Sequence, residues 1–329
     1  MKKVKILTFI LALVTVFSLA SCGEEAPESV NVYYLTGTTG FGMAKLMSDY
    51  ATNETYTFTS SGTDASKVQA ALISGDADIA TLPTNAAATV YNRTNGEVQI
   101  LAINTLGCLY LLNNTGTPIT DLSQLNGKTV YTPAQNPSFI FKHICQKNNL
   151  NVNIVSTMDA NTLSSTIASP VSAGAEKIEY AVLPEPVATA TITKASKSNI
   201  TLTNDLDLTA EWNKIEPANS LVQGCLVARR EFVEAYPETV EKFLADYKAS
   251  IEYMNTNVAE SAQLVIDLGL FGGAAPIAQK AIPKCNIAYM DGDAMKAAMT
   301  TYLNVLKTVA PQSIGDAIPA DDFYYIPEK

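Results

Sequence analysis

The polar groups best placed to act on a small molecule lie at two matching junctions. At the first, Asp78-Ile-Ala-Thr-Leu-Pro83 runs into Thr84-Asn85-Ala-Ala-Ala; at the second, 101 residues on, Glu179-Tyr-Ala-Val-Leu-Pro184 runs into Glu185-Pro-Val-Ala-Thr. In each copy an acidic residue opens an apolar run, Leu-Pro closes it, and an Ala/Thr/Val-rich segment follows. Proline cannot donate to a sheet ladder, but its fixed φ suits the first turn of a helix, so a strand ends and a helix begins there. A hydroxyl, an amide and a carboxylate thereby arrive beside unpaired N–H groups, where polar ligands are held. That chemistry is hydrogen-bonded capture.

Bond-breaking chemistry has little support. The one histidine, His143, lies in the run Phe139-Ile-Phe-Lys-His-Ile-Cys145 of a predicted helix, and Cys145, two positions on, faces elsewhere. Gly37-Thr-Thr-Gly-Phe-Gly42 lacks the Lys-Ser/Thr that must follow the last glycine of a phosphate-binding loop. Cys108, Cys145, Cys225 and Cys285 are widely spaced with no C-x-x-C pair, which suggests neither a zinc site nor a disulfide framework. No nucleophile elbow is present. An enzyme is not expected, and neither a cofactor nor a metal.

The elements that position the junctions repeat in the same order. The first set reads as strand 31–36, helix 42–51, strand 55–60, helix 64–74, strand 78–82 and helix 83–92. The second reads as strand 128–133, helix 138–149, strand 152–157, helix 160–169, strand 179–183 and helix 184–195. The turns rhyme as well, since Ser60-Ser-Gly-Thr-Asp64 precedes one helix and Ser156-Thr-Met-Asp159 its counterpart. Strands alternating with helices predict an α/β fold of two lobes, each a sheet flanked by helices. Ligands of such sheets lie beyond the carboxyl ends of the strands. The binding candidates are therefore Thr38, Thr39, Phe41, Ser61, Thr63, Thr84, Asn85 and Asn104 from the first lobe, and Asn136, Ser138 and Glu185 from the second. Asp64 and Asp159 read as helix caps.

No candidate loop contains Lys or Arg, so an anion would have to rest on helix N-termini alone. Two roles are open to Glu185: it accepts a hydrogen bond from an amine, amide or heterocyclic N–H of a solute, or it caps its own helix. Phe41, Phe139 and Tyr131 are candidates to cover a ring.

Residues 1–21 read as an export signal, with Lys2, Lys3 and Lys5 ahead of an apolar run, Ile6 to Leu19, too short to span a bilayer. Residues 22–29 read as a polar tether. Without the leader's three lysines, 19 basic residues face 32 acidic ones, a net charge of −13. So acidic a chain argues against nucleic acid as a partner.

Two apolar segments frame the second lobe. Val98–Gly107 and Leu109–Asn113 break at Gly107-Cys108, and Ser220–Ala228 carries Gly224. Both read as hinge crossings, and if they lie side by side a Cys108–Cys225 pair is open to them. Apolar stripes beyond, with Val240, Phe243, Leu244, Tyr247 and Ile251 at helical spacing, predict helices at 237–257, 259–270 and 293–309 packed on the first lobe. The lobes are then 30–106 with 222–329, and 107–221.

With these residues in view, the chain resembles the substrate-binding proteins of bacterial ABC importers, of the nitrate, taurine and alkanesulfonate type, related to thiamine-precursor binders. The marks are Leu19-Ala-Ser-Cys22, similar to a lipobox; Gly75-Asp-Ala-Asp-Ile-Ala80; Asp121-Leu-Ser-Gln-Leu-Asn-Gly-Lys128; and Ala228-Arg-Arg-Glu-Phe-Val-Glu-Ala-Tyr-Pro-Glu238. The resemblance implies a type II periplasmic-binding fold with mixed sheets and a two-strand hinge. It also implies a lipid on Cys22 holding the protein at the outer face of the cell membrane, a small organic solute closed in the inter-lobe cleft, and delivery to an ABC permease with its ATPase. A solute sensor for a membrane receptor would leave the same sequence, and an enzyme on the same fold is the more distant alternative.

Overall fold

The computed structural model describes residues 26–171 and 177–327. The expected export signal, the lipid acceptor Cys22 and the first residues of the tether lie outside the described residues.

The described strands are β1 (Val30–Tyr34), β2 (Tyr56–Ser60), β3 (Ile79–Pro83), β4 (Val98–Leu106), β5 (Leu109–Asn113), β6 (Thr129–Pro133), β7 (Asn153–Met158), β8 (Tyr180–Pro184), β9 (Thr203–Asp207), β10 (Val222–Arg229) and β11 (Ile287–Met290). They form two mixed sheets, in the orders β11-β4-β10-β3-β1-β2 and β7-β6-β8-β5-β9. In each, three parallel strands are followed by an antiparallel strand from a crossing, β10 in the first sheet and β5 in the second, and then by another antiparallel strand. The duplication therefore extends from sequence to strand order.

The helices Ala65–Ser74, Thr84–Thr94, Asn136–Lys147, Ala160–Ile167 and Val187–Lys197 flank these sheets. Two departures from the sequence reading bear on function. The helix expected at 42–51 is shortened to Ala44–Asp49, and a separate short helix, Thr38–Phe41, precedes it, the two split at Gly42 and Met43. A Cβ on Gly40 would stand 2.1 Å from the Leu35 carbonyl oxygen, so the chain turns tightly there and brings Thr38 and Thr39 to the end of β1. The helix expected at 184–195 starts at Val187 rather than at residue 184. Pro186 keeps Glu185 out of the helical region and leaves it on the strand–helix turn.

Of the C-terminal helices, Pro237–Thr256 buries Val240, Phe243, Leu244, Tyr247, Ser250, Ile251 and Met254 along one stripe against Ala44–Asp49. Each large apolar member gains about 1.5–3 kcal/mol on full burial. Ser250 is the polar exception. Its hydroxyl donates to the Gly42 carbonyl (2.7 Å) and accepts from the Leu46 N–H (3.0 Å), pairing two backbone groups freed by the split helix. Gly292–Val309 departs from its expected place on the first lobe alone, because it also packs on Asn136–Lys147 and sets Tyr302 5.9 Å from Trp212. One apolar core consequently runs through both lobes.

Cys108 and Cys225 are both free and buried. The crossings do lie side by side, but the ladder sets Cys225 opposite Ile103, and its thiol donates to the Leu82 carbonyl. Among the described residues no helix is long and apolar enough to cross a membrane.

Ser250→Ala leaves the Gly42 carbonyl and the Leu46 N–H unpaired in the core and is expected to lower unfolding stability by about 1–3 kcal/mol. Urea titration followed by circular dichroism measures it, and an unchanged midpoint would remove Ser250 from this role.

Candidate ligand-binding cavity

Beyond the carboxyl ends of the parallel strands lies a cavity of about 660 Å³ with walls from both lobes. Thr36, Gly37, Thr38 and Thr39 enter it after β1, and Thr63 after β2. From the second lobe come Pro133 to Gln135 after β6, Ser156 to Asn161 at the end of β7, and Pro184 to Val187 after β8. The volume is ordinary for a small-molecule site. The lining is hydroxyl-rich, has apolar floor from Met158, Val187 and the prolines, and contains no Lys, Arg, His or aromatic residue.

Two hydrogen bonds join the lobes here, the first across the cavity and the second beside it. The Thr38 hydroxyl donates to the Glu185 carbonyl (3.0 Å), and the Asn136 amide donates to the Asn85 side-chain oxygen (2.7 Å). Thr63 also lines an adjoining cavity of about 670 Å³, together with Asn85, Arg93, Gln135 and Ser313.

Glu185 is the buried titratable group of the cavity, 1% exposed. One carboxylate oxygen accepts from the Thr189 N–H (3.1 Å) and the other from the Thr189 hydroxyl (2.8 Å). The side chain thus caps its own helix, one of the two roles open to it in sequence, while belonging to the cavity wall. Burial pushes its carboxyl pKa up, and the two Thr189 hydrogen bonds and the charge of Lys284 only partly offset this. Asp159 behaves oppositely. Its carboxylate accepts from the N–H groups of Asn161 and Thr162 (2.9 Å each) and from the Thr162 hydroxyl (2.8 Å), which hold its pKa below the usual range.

The sequence candidates divide into three groups. Thr38, Thr39, Thr63 and Glu185 line the cavity. Asn85 and Asn136 form the bond between lobes at its side. The other five are placed elsewhere. Thr84 is fully buried, its hydroxyl donating to the Val222 carbonyl (2.7 Å). Phe41 is drawn into the first-lobe core, 6.4 Å from Phe271, because the split helix turns it inward. Asn104 is buried and donates to the Thr39 carbonyl (3.2 Å), supporting the wall from behind. Ser61 is buried, its N–H spent on the Tyr34 carbonyl (2.9 Å), and Ser138 lies outside both cavities. Absent from the candidates was the segment Ser156 to Asn161, apart from Asp159, which was read only as a cap. The rhyme with Ser60 to Asp64 was its signal.

The remaining polar clusters lie away from the cavity. His143 bonds to Glu216 (2.9 Å) beside Trp212, and burial lowers its pKa. Among the described residues no group of His, Cys, Asp or Glu could hold a metal ion.

A family model described as NMT1/THI5 like matches residues 59–261, well over half of the sequence. The chain belongs to the NMT1/THI5-like family. No curated protein matches it in sequence. Its fold is similar to that of an ABC transporter from Parabacteroides distasonis, with a TM-score of 0.72 at 22% identity, covering 92% of this chain and 100% of that one. The periplasmic aliphatic sulphonate binding protein SsuA from Escherichia coli gives 0.71 at 11%, covering 92% and 94%. The ligand binding component of an ABC-type import system from Staphylococcus aureus gives 0.67 at 15%, covering 91% and 97%. The NMT1/THI5-like chain thus has the two-lobed fold of periplasmic binding proteins.

Because the folded-state pKa of Glu185 lies above the ordinary 4.5, its carboxylate destabilises the folded chain at neutral pH, and the penalty is relieved as pH falls through the raised value. Glu185→Gln, whose amide oxygen can still accept from the Thr189 N–H, is expected to raise the Tm of the ligand-free protein at pH 7, with the difference shrinking as the pH falls toward the ordinary 4.5. A Tm at pH 7 equal to or below that of the parent would refute the assignment.

Proposed function

We propose that the protein is an extracytoplasmic solute-binding lipoprotein that captures a small organic solute between its lobes and delivers it to an ABC permease and its ATPase. The lobes are residues 30–106 with 222–329 and residues 107–221, turning about the crossings at Gly107-Cys108 and Leu221-Val222. Lipid on Cys22 holds the protein at the outer face of the cell membrane, and no catalysis is assigned to it. The supporting observation is that one cavity draws its walls from both sheets, while Thr38–Glu185 joins the lobes across it and Asn136–Asn85 joins them beside it. A solute touching both walls favours the closed arrangement by its differential contacts.

Two measurements test the reading. Dyes on Lys67→Cys and Thr166→Cys, both exposed and on opposite lobes, can be attached selectively because the four described native cysteines are buried. Adding a deproteinised extract of the source cells is expected to raise energy transfer between them, and an unchanged signal counts against solute-driven closure. Cys22→Ala is expected to move the protein from the membrane fraction to the soluble fraction; continued membrane retention would overturn the lipid anchor.

A further inference from the structure

Three helix N-termini at the cavity and its rim already carry negative charge from the chain itself, while the short helix Thr38–Phe41 has no side-chain cap. Ala65–Ser74 is capped by Asp64, whose carboxylate accepts from the Ser66 N–H (3.0 Å). Ala160–Ile167 is capped by Asp159 on two N–H groups, and Val187–Lys197 by Glu185 on the Thr189 N–H. Such N–H groups are what a fold of this kind offers an oxyanion, and here side-chain oxygens occupy them. Asn136–Lys147 has no side-chain cap, but Pro137 in its first turn has no N–H to offer.

No cation balances the two carboxylates in the cavity wall. The charge of Lys284 acts on Glu185, but no hydrogen bond or ion pair joins the two among the described residues, and Arg93 faces the adjoining cavity. Among the described residues Glu185 forms no ion pair, and each of its oxygens accepts a single hydrogen bond, leaving further acceptor capacity. A 99%-buried carboxylate without a counter-ion, in the wall of a cavity large enough for a small molecule, is a site that lacks a cation.

We propose that the solute of this cavity is a small organic cation, an ammonium or amidinium whose N–H groups bond to Glu185 under the additional field of Asp159, and that oxyanions are excluded. The proposal rests on the solute-capture reading and specifies the charge of what is captured. The threonine hydroxyls facing the same space, on Thr36, Thr38, Thr39 and Thr63, supply neutral acceptors and donors for the rest of the molecule. The absence of aromatic lining argues against stacking or a cation–π cage as the main recognition device.

A thermal-shift screen of the mature chain tests this, using a broad set of metabolites sorted by charge at neutral pH. Putrescine, agmatine and spermidine are among the cations, nitrate, isethionate and butanesulfonate among the anions, and ribose and nicotinamide among the neutral solutes. The strongest stabiliser is expected to be a cation. Calorimetry on that cation is expected to give affinity about tenfold weaker or more for Glu185→Gln, and a smaller loss for Asp159→Asn, which keeps the helix cap. A best stabiliser that is anionic or neutral, or undiminished cation affinity in both variants, would overturn the charge assignment and leave solute capture standing. If no solute of any class stabilised the chain, the capture reading would fail and this proposal with it.

Discussion

Everything else in the molecule is arranged around the need for one chain to leave its first sheet and return to it through the same gap. β4 and β10 do this side by side, as an antiparallel pair buried on both faces near the centre of the six-stranded sheet. The ladder is irregular where the strands part, with register shifts on both sides of Gly224. A Cβ on Gly224 would stand 2.5 Å from the Asn104 side-chain oxygen and 2.9 Å from the Thr39 methyl, so the crossing is as tight as the backbone permits. Peptide groups left over by the broken ladder are satisfied by side chains. Gln223 accepts from the Cys108 N–H (2.8 Å), and Asn286 donates to the Gly107 carbonyl. The same Asn104 holds the Thr39 carbonyl, so a packing requirement at the crossing also sets one wall of the cavity.

At the opposite end of the sheet the polar groups serve the fold. Asp78 accepts from the Asn31 N–H (2.8 Å) and the Arg229 guanidinium (2.7 Å), while the Arg229 N–H returns to the Asp78 carbonyl (3.0 Å). Two of the segments on which the family resemblance rests, Gly75 to Ala80 and Ala228 to Glu238, therefore meet in a largely buried ion pair. Removing either partner would strand the other charge, which is far costlier than the pair's net contribution is large. This explains why those segments identify a fold without specifying a ligand: the β3–β10 register sets Ile79 beside Ala228 at that end and Pro83 beside Gly224 at the cavity end.

The parts of the structure legible in sequence were those with a strong period or a covalent restriction. Proline at the ends of β3 and β8, glycine at the crossings and the apolar stripe of Pro237–Thr256 each leave few conformations open, and they marked the duplicated strands and most helices to within a few residues. β9 and β11 escaped because an edge strand need bury little: Thr-Asn-Asp-Leu-Asp and Ile-Ala-Tyr-Met carry no clear alternation. The split at Gly42 and Met43 was invisible locally, since what compensates it is Ser250, more than two hundred residues away. The same distance problem governed the site. Residue type could say that Thr39, Phe41 and Ser61 stand near strand ends, but which of them faces the cavity depends on packing against Leu270, Phe271 and the rest of the C-terminal helices.

Charge at the cavity is decided on a smaller scale than the fold. The sheets fix where strands end and helices begin, and hence where N–H groups converge. One or two residues at each helix start then decide whether those groups remain available. With Asp64, Asp159 and Glu185 in those positions, the dipoles that would attract an anion are met from within, and the carboxylates that meet them become part of the rim or wall. A protein of similar fold can be named for aliphatic sulphonates while this one has two carboxylates in its cavity wall. Glu185 pushes this furthest. Pro186 delays the helix long enough to leave the carboxylate on the turn, Thr189 satisfies half of its capacity, and burial makes the unsatisfied remainder costly to the empty protein. Protonation or a partner of opposite charge would relieve that cost, so the residue that disfavours the empty protein at neutral pH is also one that would favour an occupied one.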